Sequence, residues 1–306
     1  MGKSTFRRTG VCISAVALLG GAVACTSDGD GKSSGAAKTP VQALQAAFKK
    51  TSAAKSAKVH MTVSAPEGAG TAAGTEVTMD GVVGWNPGVM DMTMSGAGAA
   101  AAGAAGGDGK TRMIMIDNVM YTQLPAGSMK DAPEAMRGKK WMKLDAKSAP
   151  NAALQKSMGS KMDSANQDPS KQMATLLDSP NLKRVGEEKV NGTSAQHYKG
   201  TLTVDDMAKG TASAEVMDAK EREALLETVK QAGIKSYDTD IWVNGDNLPV
   251  KMTVVMDSAQ GKMKMSADYT DYGTKVDVKA PAAGEVADFG DMIKDLSKAV
   301  EDAKRS

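Results

Sequence analysis

The sequence predicts an α+β fold, one antiparallel sheet with helices covering one of its faces. Three observations point there. Many short segments alternate apolar and polar side chains, as strands with one dry and one wet face do. Turn signals such as Asn86-Pro87-Gly88 and Asn191-Gly192 separate them. Only a few stretches carry apolar residues at helical spacing, and these are the natural cover for the dry face.

Taken in order, Pro40 opens the first helix, where its missing N–H is tolerated, and Val41, Leu44 and Phe48 share a face. A strand follows in which Val59, Met61 and Val63 alternate with His60, Thr62 and Ser64. Gly68 to Gly74 reads as a loop. Val77, Met79 and Val83 mark a second strand, and Met90, Met92 and Met94 a third. The Ala- and Gly-rich run from Ser95 to Gly109 has no periodic face and reads as a loop.

Strands resume at Arg112 to Tyr121 and at Lys140 to Leu144. In Met113-Ile114-Met115-Ile116 both faces are apolar, so the facing stays open. Asn151 to Met162 has helical character, and Asp168-Pro169 caps a short helix carrying Met173, Leu176 and Leu177. Lys183 to Val190 and Thr193 to Val204 form a hairpin around Asn191-Gly192. Glu215 to Gln231 reads as one helix with Val216, Leu225, Leu226 and Val229, closed by Gly233. Three more strands run over Ser236 to Val243, Val250 to Met256 and Lys262 to Tyr269. Phe289, Met292, Ile293, Leu296 and Val300 mark a C-terminal helix.

The start of the chain has a different character. Lys3, Arg7 and Arg8 precede the uncharged, mostly apolar stretch Val11 to Val23, which is too short for a membrane span of roughly 20 residues and fits a secretory signal. Ala22-Val23-Ala24-Cys25 resembles the bacterial lipobox, with Ala22 where Leu is usual. The resemblance implies diacylglycerol on the Cys25 thiol. Ala22-Val23-Ala24 is also an ordinary A-x-A cleavage site. Cysteine usage favours the lipid, because the only other cysteine, Cys12, lies in the segment to be removed. Residues 1–24 are therefore expected to be a signal peptide and 25–39 a lipidated, Ser/Gly-rich tether reaching about 20 Å. Residues 40–306 are expected to form a single domain, a monomer on the extracytoplasmic face of the cell membrane. Without Lys3, Arg7 and Arg8 the 38 basic residues fall to 35 against 36 acidic ones, which gives no electrostatic case for nucleic acid.

Three segments carry a family resemblance. They are Val185 to Gly192 with His197-Tyr198-Lys199-Gly200, Tyr237 to Val243 with Asn244 to Pro249, and Tyr269 to Val278 closing at Ala280-Pro281. From about Pro40 to Ala280 the chain resembles the LppX/LprG family of actinobacterial envelope lipoproteins, whose fold is like that of the lipoprotein carrier LolA. The resemblance implies a curved half-barrel sheet, helices on its concave side and an apolar cavity between them that holds acyl chains. The Ala/Gly insert is not a family feature.

Catalysis has little to rest on. The chain has two histidines, His60 and His197, and no G-x-S-x-G elbow. Gly31-Lys32-Ser33 lacks the upstream glycine and the preceding strand of a phosphate loop. Two histidines and a lipidated cysteine make a poor zinc set, and no cofactor is expected. The chain holds 22 methionines and only three phenylalanines. Methionine fills irregular cores well, and its flexible thioether also suits a lining for acyl chains of no fixed shape. The strand candidates for that lining are Val59, Met61, Val63, Val77, Met79, Met92, Met94, Met142, Leu144, Ile241, Val243, Met252, Val254, Met256, Met263 and Met265. Leu176, Leu177, Leu225, Leu226 and Val229 are the candidates for a helical lid. A loose basic run, Lys130, Arg137, Lys139, Lys140, Lys143 and Lys147, reads first as a solvated face and second as a contact for anionic head groups. The expected function is an envelope carrier that holds acyl chains by burial, a reading that an apolar cavity above roughly 300 Å³ under the helices would favour. The alternative is an interaction or sensory module with a filled core, binding another envelope protein.

Overall fold

The computed structural model describes residues 38–64, 76–97, 109–125, 136–152, 154–156, 158–159, 169–295 and 298. They belong to the compact unit Lys38–Ser306. The expectations for the signal segment, Cys25, the tether, the loop Gly68 to Gly74, most of the Ala/Gly run, Lys130, the Asp168 cap, Leu296 and Val300 lie outside them.

The first helix, α1 (Pro40–Ala54), starts where the sequence places it. The Thr39 hydroxyl accepts from the Gln42 N–H, the Gln42 side chain reaches back, and Pro40 takes the first turn. Ala43, Leu44, Ala47 and Thr51 form its buried stripe. Strands β1 (Ser56–Ser64), β2 (Glu76–Trp85), β3 (Gly88–Ser95), β4 (Lys110–Ile116), β5 (Val119–Gln123) and β6 (Trp141–Asp145) follow, then α2 (Pro169–Leu176). After these come β7 (Lys183–Val190), β8 (Thr193–Thr203), the short α3 (Val204–Lys209) and α4 (Ala219–Gln231). The chain closes through β9 (Ile234–Asn244), β10 (Pro249–Ser258), β11 (Gly261–Thr270) and β12 (Val286–Asp288), with residues 289–295 helical.

The twelve strands make one open, curved sheet in the order β12-β6-β5-β4-β3-β2-β1-β11-β10-β9-β8-β7. Every pairing is antiparallel except β12 with β6. Chain neighbours are therefore sheet neighbours almost throughout, as short hairpins dictate. The main exception, β1 beside β11, brings the two ends of the sheet region together at its centre.

Three expectations need correction. The strand read from Arg112 to Tyr121 is two strands, because Asp117 and Asn118 both adopt positive φ (53° and 59°) and turn the chain back. The helix read from Glu215 to Gln231 begins only at Ala219. Asp218 caps it, accepting from the Glu221 N–H while the Glu221 carboxylate accepts from the Asp218 N–H. Val216 and Met217 belong to the preceding turn. The hairpin strand read to Val204 ends at Thr203, whose hydroxyl caps α3.

Helices α1 and α2 pack together on one face of the sheet's middle. The main core lies there, with Leu44, Met173, Leu176, Ile241 and Met252 all at most 1% exposed. Each such side chain contributes about 1.5–3 kcal/mol by leaving water. Helix α2 comes close to β8 because residue 200 is glycine. A Cβ there would lie 2.8 Å from Leu176 Cδ1 and 2.5 Å from Ser179 Oγ.

Candidate functional site

The strand register sorts the apolar residues. Met61 lies opposite Met79, and Met79 opposite Met94. In the other direction Met61 lies opposite Ala267, which is followed by Met252, Ile241 and Tyr198. The neighbouring row runs Met142, Thr122, Met113, Met92, Gly81, Val59 and Tyr269. A third runs Leu144, Met120, Met115, Met90, Val83 and Ala57. Directly opposed residues point to the same side of a sheet, so these rows share one face. This settles the facing of β4. Met113 and Met115 join the methionine face, and Ile114 lies on the other side, where it is also buried.

All the strand residues expected to line a cavity fall on this face. Val59, Met61, Met92, Ile241, Val243, Met252 and Val254 are buried beneath or beside α1 and α2, together with Leu176 and Leu177. Val63, Val77, Met79, Met94, Met142, Met256, Met263 and Met265 are half-buried. They form an apolar margin flanking the sealed centre. Leu144 packs elsewhere, in a small separate cluster with Ala149, Met158, Leu154 and Phe289. Leu225, Leu226 and Val229 stand apart from the main core, because α4 packs on β9 and α3. Leu225 lines a narrow crevice with Leu202, Met207 and Met217. Leu202 lies opposite Tyr237, which lies opposite Met256, so this crevice is on the methionine face, over its β8–β9 part and away from the main core.

The sequence left open whether the space under the helices is an open cavity or is filled. Among the described residues the space between α1, α2 and the sheet is filled by side chains. A cleft of about 340 Å³ lies on the opposite face instead, walled by Arg112, Trp141, Asp277, Lys279 and Glu285. Sequence reasoning missed it because Asp277 and Lys279 reach β4 and β6 only through the fold.

That opposite face is polar. Arg112 donates twice to Asp91, at 2.8 and 2.6 Å, and this bonding raises the guanidinium pKa against the effect of burial. His60 Nδ1 lies 2.5 Å from Asp80. His197 has a carboxylate at each ring nitrogen, Glu188 at 2.8 Å and Asp240 at 2.7 Å, so neither nitrogen faces a hydroxyl nucleophile. Two members of the basic run are paired with carboxylates. Lys140 pairs with Glu285, and Lys143 lies between Asp288 at 3.1 Å and Asp145 at 3.3 Å. Burial works against the Lys143 charge, but the hydrogen bonds to the two carboxylates prevail and its pKa is raised. Among the described residues no group of His, Cys, Asp and Glu could hold a metal ion, and no helix is long and apolar enough to cross a membrane.

Fold and face together define an open antiparallel half-barrel with helices on a methionine-rich side. No protein-family model matches the chain. It is 32% identical over 265 residues to an uncharacterised 31.2 kDa protein of Streptomyces griseus encoded between rplA and rplJ, covering 84% of this chain and 81% of that one. The chain belongs to the family of that protein. It is also 25% identical, over 96% of its length and 98% of the relative's, to a Streptomyces coelicolor protein described as a candidate lipoprotein. Among solved structures it is similar to the Mycobacterium tuberculosis lipoprotein LppX, with a TM-score of 0.47 and 11% identity over 78% of this chain and 98% of the other.

Proposed function

We propose that the protein is an envelope lipoprotein, anchored through Cys25, that binds acyl chains of a lipid or lipoconjugate along its methionine face and acts as carrier or chaperone. The observation that carries this reading is the half-buried margin of Val63, Val77, Met79, Met94, Met256 and Met265, continuous with the sealed core. A contiguous apolar surface left partly open to water marks a binding site. Unbranched thioethers adapt to tails of varied length and bend. The candidate-lipoprotein relative supports the anchor. A tether of about 20 Å would keep loading and delivery at the membrane surface.

The test is to extract the purified protein with organic solvent, weigh what is released, and titrate the delipidated protein with a fluorescent fatty acid. Release of lipid and saturable binding are expected. With neither, the carrier reading falls. Mass analysis of the mature N-terminus tests the anchor separately, since an unmodified Cys25 would make the protein a free shuttle.

A second reading is favoured by the filled centre, where Leu44 and Ile241 are fully buried and Met252 is 1% exposed. It is an interaction module that recognises an envelope protein through its surface. This reading predicts no lipid in the extract and no binding in the titration.

A further inference from the structure

We propose that the methionines around Met115 form a binding site for a soft monovalent metal ion, Cu(I). Met115 on β4 lies directly opposite Met90 on β3 and Met120 on β5, and Met113 is two residues back on the same strand and the same face. Directly opposed side chains have Cβ atoms about 4.5–5.5 Å apart, and diagonal neighbours about 7–8 Å. Each thioether stands on a flexible arm beyond Cβ, so three or four sulfurs can converge on one ion. Met90 and Met115 are buried, at 8% and 1% exposure, and Met113 and Met120 are half-buried, which gives the ion a route in.

The surroundings select the ion. The two rows that hold these methionines are filled by Leu144, Val83, Ala57, Met142, Thr122, Met92 and Gly81, with no carboxylate, imidazole or ammonium among them. Hard dications need oxygen ligands, and zinc takes histidine, thiolate or carboxylate. Thioether donors select Cu(I). A single positive charge is also the least expensive to desolvate among neutral ligands. Cu(I) needs the sulfur atoms themselves, whereas an acyl chain needs an adaptable apolar lining, which is what makes the proposal separable from the carrier reading.

The experiment uses the full chain with Cys12→Ser and Cys25→Ser, so that no thiol competes. Under anaerobic conditions it is titrated against Cu(I) held by a chromogenic chelator, with Zn(II) as a parallel probe. We expect one Cu(I) withdrawn per chain, a sulfur-only shell by X-ray absorption, and no Zn(II) uptake. Met113→Leu/Met115→Leu/Met120→Leu keeps volume and apolarity and should weaken Cu(I) binding by at least about tenfold. Met256→Leu/Met263→Leu/Met265→Leu, at the far end of the face, should leave it unchanged. If the first triple misfolds, Met120→Leu alone, at a half-buried position, must still weaken binding. Failure to withdraw Cu(I), equal affinity in the first triple or in Met120→Leu, or equal weakening in the distal triple overturns the proposal.

Discussion

The imidazole of His197 lies flat against the indole of Trp242, ring centroids 4.3 Å apart and planes inclined by 16°. The indole N–H donates to Glu188 at 2.8 Å, and the same carboxylate meets His197 Nδ1. The group ties the edge hairpin β7–β8 to β9. The Trp242 hydrogen bond, then that of His197, holds the Glu188 carboxyl below the usual carboxylate range. A carboxyl lowered on folding stabilises above its unfolded pKa, and that contribution is lost as pH falls through the folded value. Glu188→Gln should therefore lower stability near neutrality. In urea melts its difference from the parent should shrink steadily below the ordinary glutamate range. A difference that stays constant down to acid pH would mean that charge plays no part in the clasp.

Gly200 sets how closely α2 approaches the sheet. Gly200→Ala places a methyl within 2.5 Å of Ser179 Oγ and 2.8 Å of Leu176 Cδ1, so the segment must lift. Overpacking of this kind costs about 1–3 kcal/mol. Gly186→Ala, on β7 with nothing within 4 Å of its added carbon, is the matched control and should change stability far less. Chemical denaturation of the two variants measures the contrast.

The face was legible in the sequence where alternation is strict. Met90, Met92 and Met94 against Asp91, Thr93 and Ser95 leave only one way to orient β3, and the fold orients it so. It was illegible in β4, where Met and Ile alternate and both sides are buried at Ile114 and Met115. The turn at Asp117-Asn118 lacks the glycine that announces Asn191-Gly192. Val216 carries apolar periodicity backwards across a turn, although the Asp218/Glu221 capping pair was there to be read. Strand β12 has three residues, too few for any pattern, and pairs with β6 across some 140 residues of chain. The clasp around His197 and the cleft beside Trp141 join residues from strands far apart in sequence. No local spacing announces either one.

Burial of phenols predicts the alkaline limit of stability. Burial pushes the Tyr237 hydroxyl up to about 12. Tyr272, which donates to the Pro249 carbonyl at 2.8 Å and meets Trp85 edge-on, is pushed further in the same direction by burial and by Tyr269. Below the ordinary tyrosine range both states are neutral and nothing is gained or lost. Above it the unfolded chain ionises first and is favoured, so stability should fall as pH rises past about 10. A spectrophotometric titration of the folded protein should leave Tyr237 and Tyr272 protonated at pH values where an exposed phenol has ionised. Tyr272→Phe should cost about 0.5–1.5 kcal/mol through the lost hydrogen bond and remove part of the delayed absorbance change.

The half-buried margin gives the most direct handle on lipid binding. Met265 lies beside Val63 on β1 and Val254 on β10, on the methionine face and outside the sealed centre. Its neighbour Lys264 points to the opposite, polar face and is exposed. A carboxylate at position 265 would have water within reach in the free protein, so Met265→Glu should fold. An acyl chain lying there would have to desolvate that charge or withdraw from it. Loss of contact with two methylenes costs about 1.6 kcal/mol, or more than tenfold in affinity. Displacement of a fluorescent fatty acid should show that loss in Met265→Glu and none in Lys264→Glu. Equal binding by both variants, with melting curves like the parent's, would place the acyl chain somewhere other than this margin.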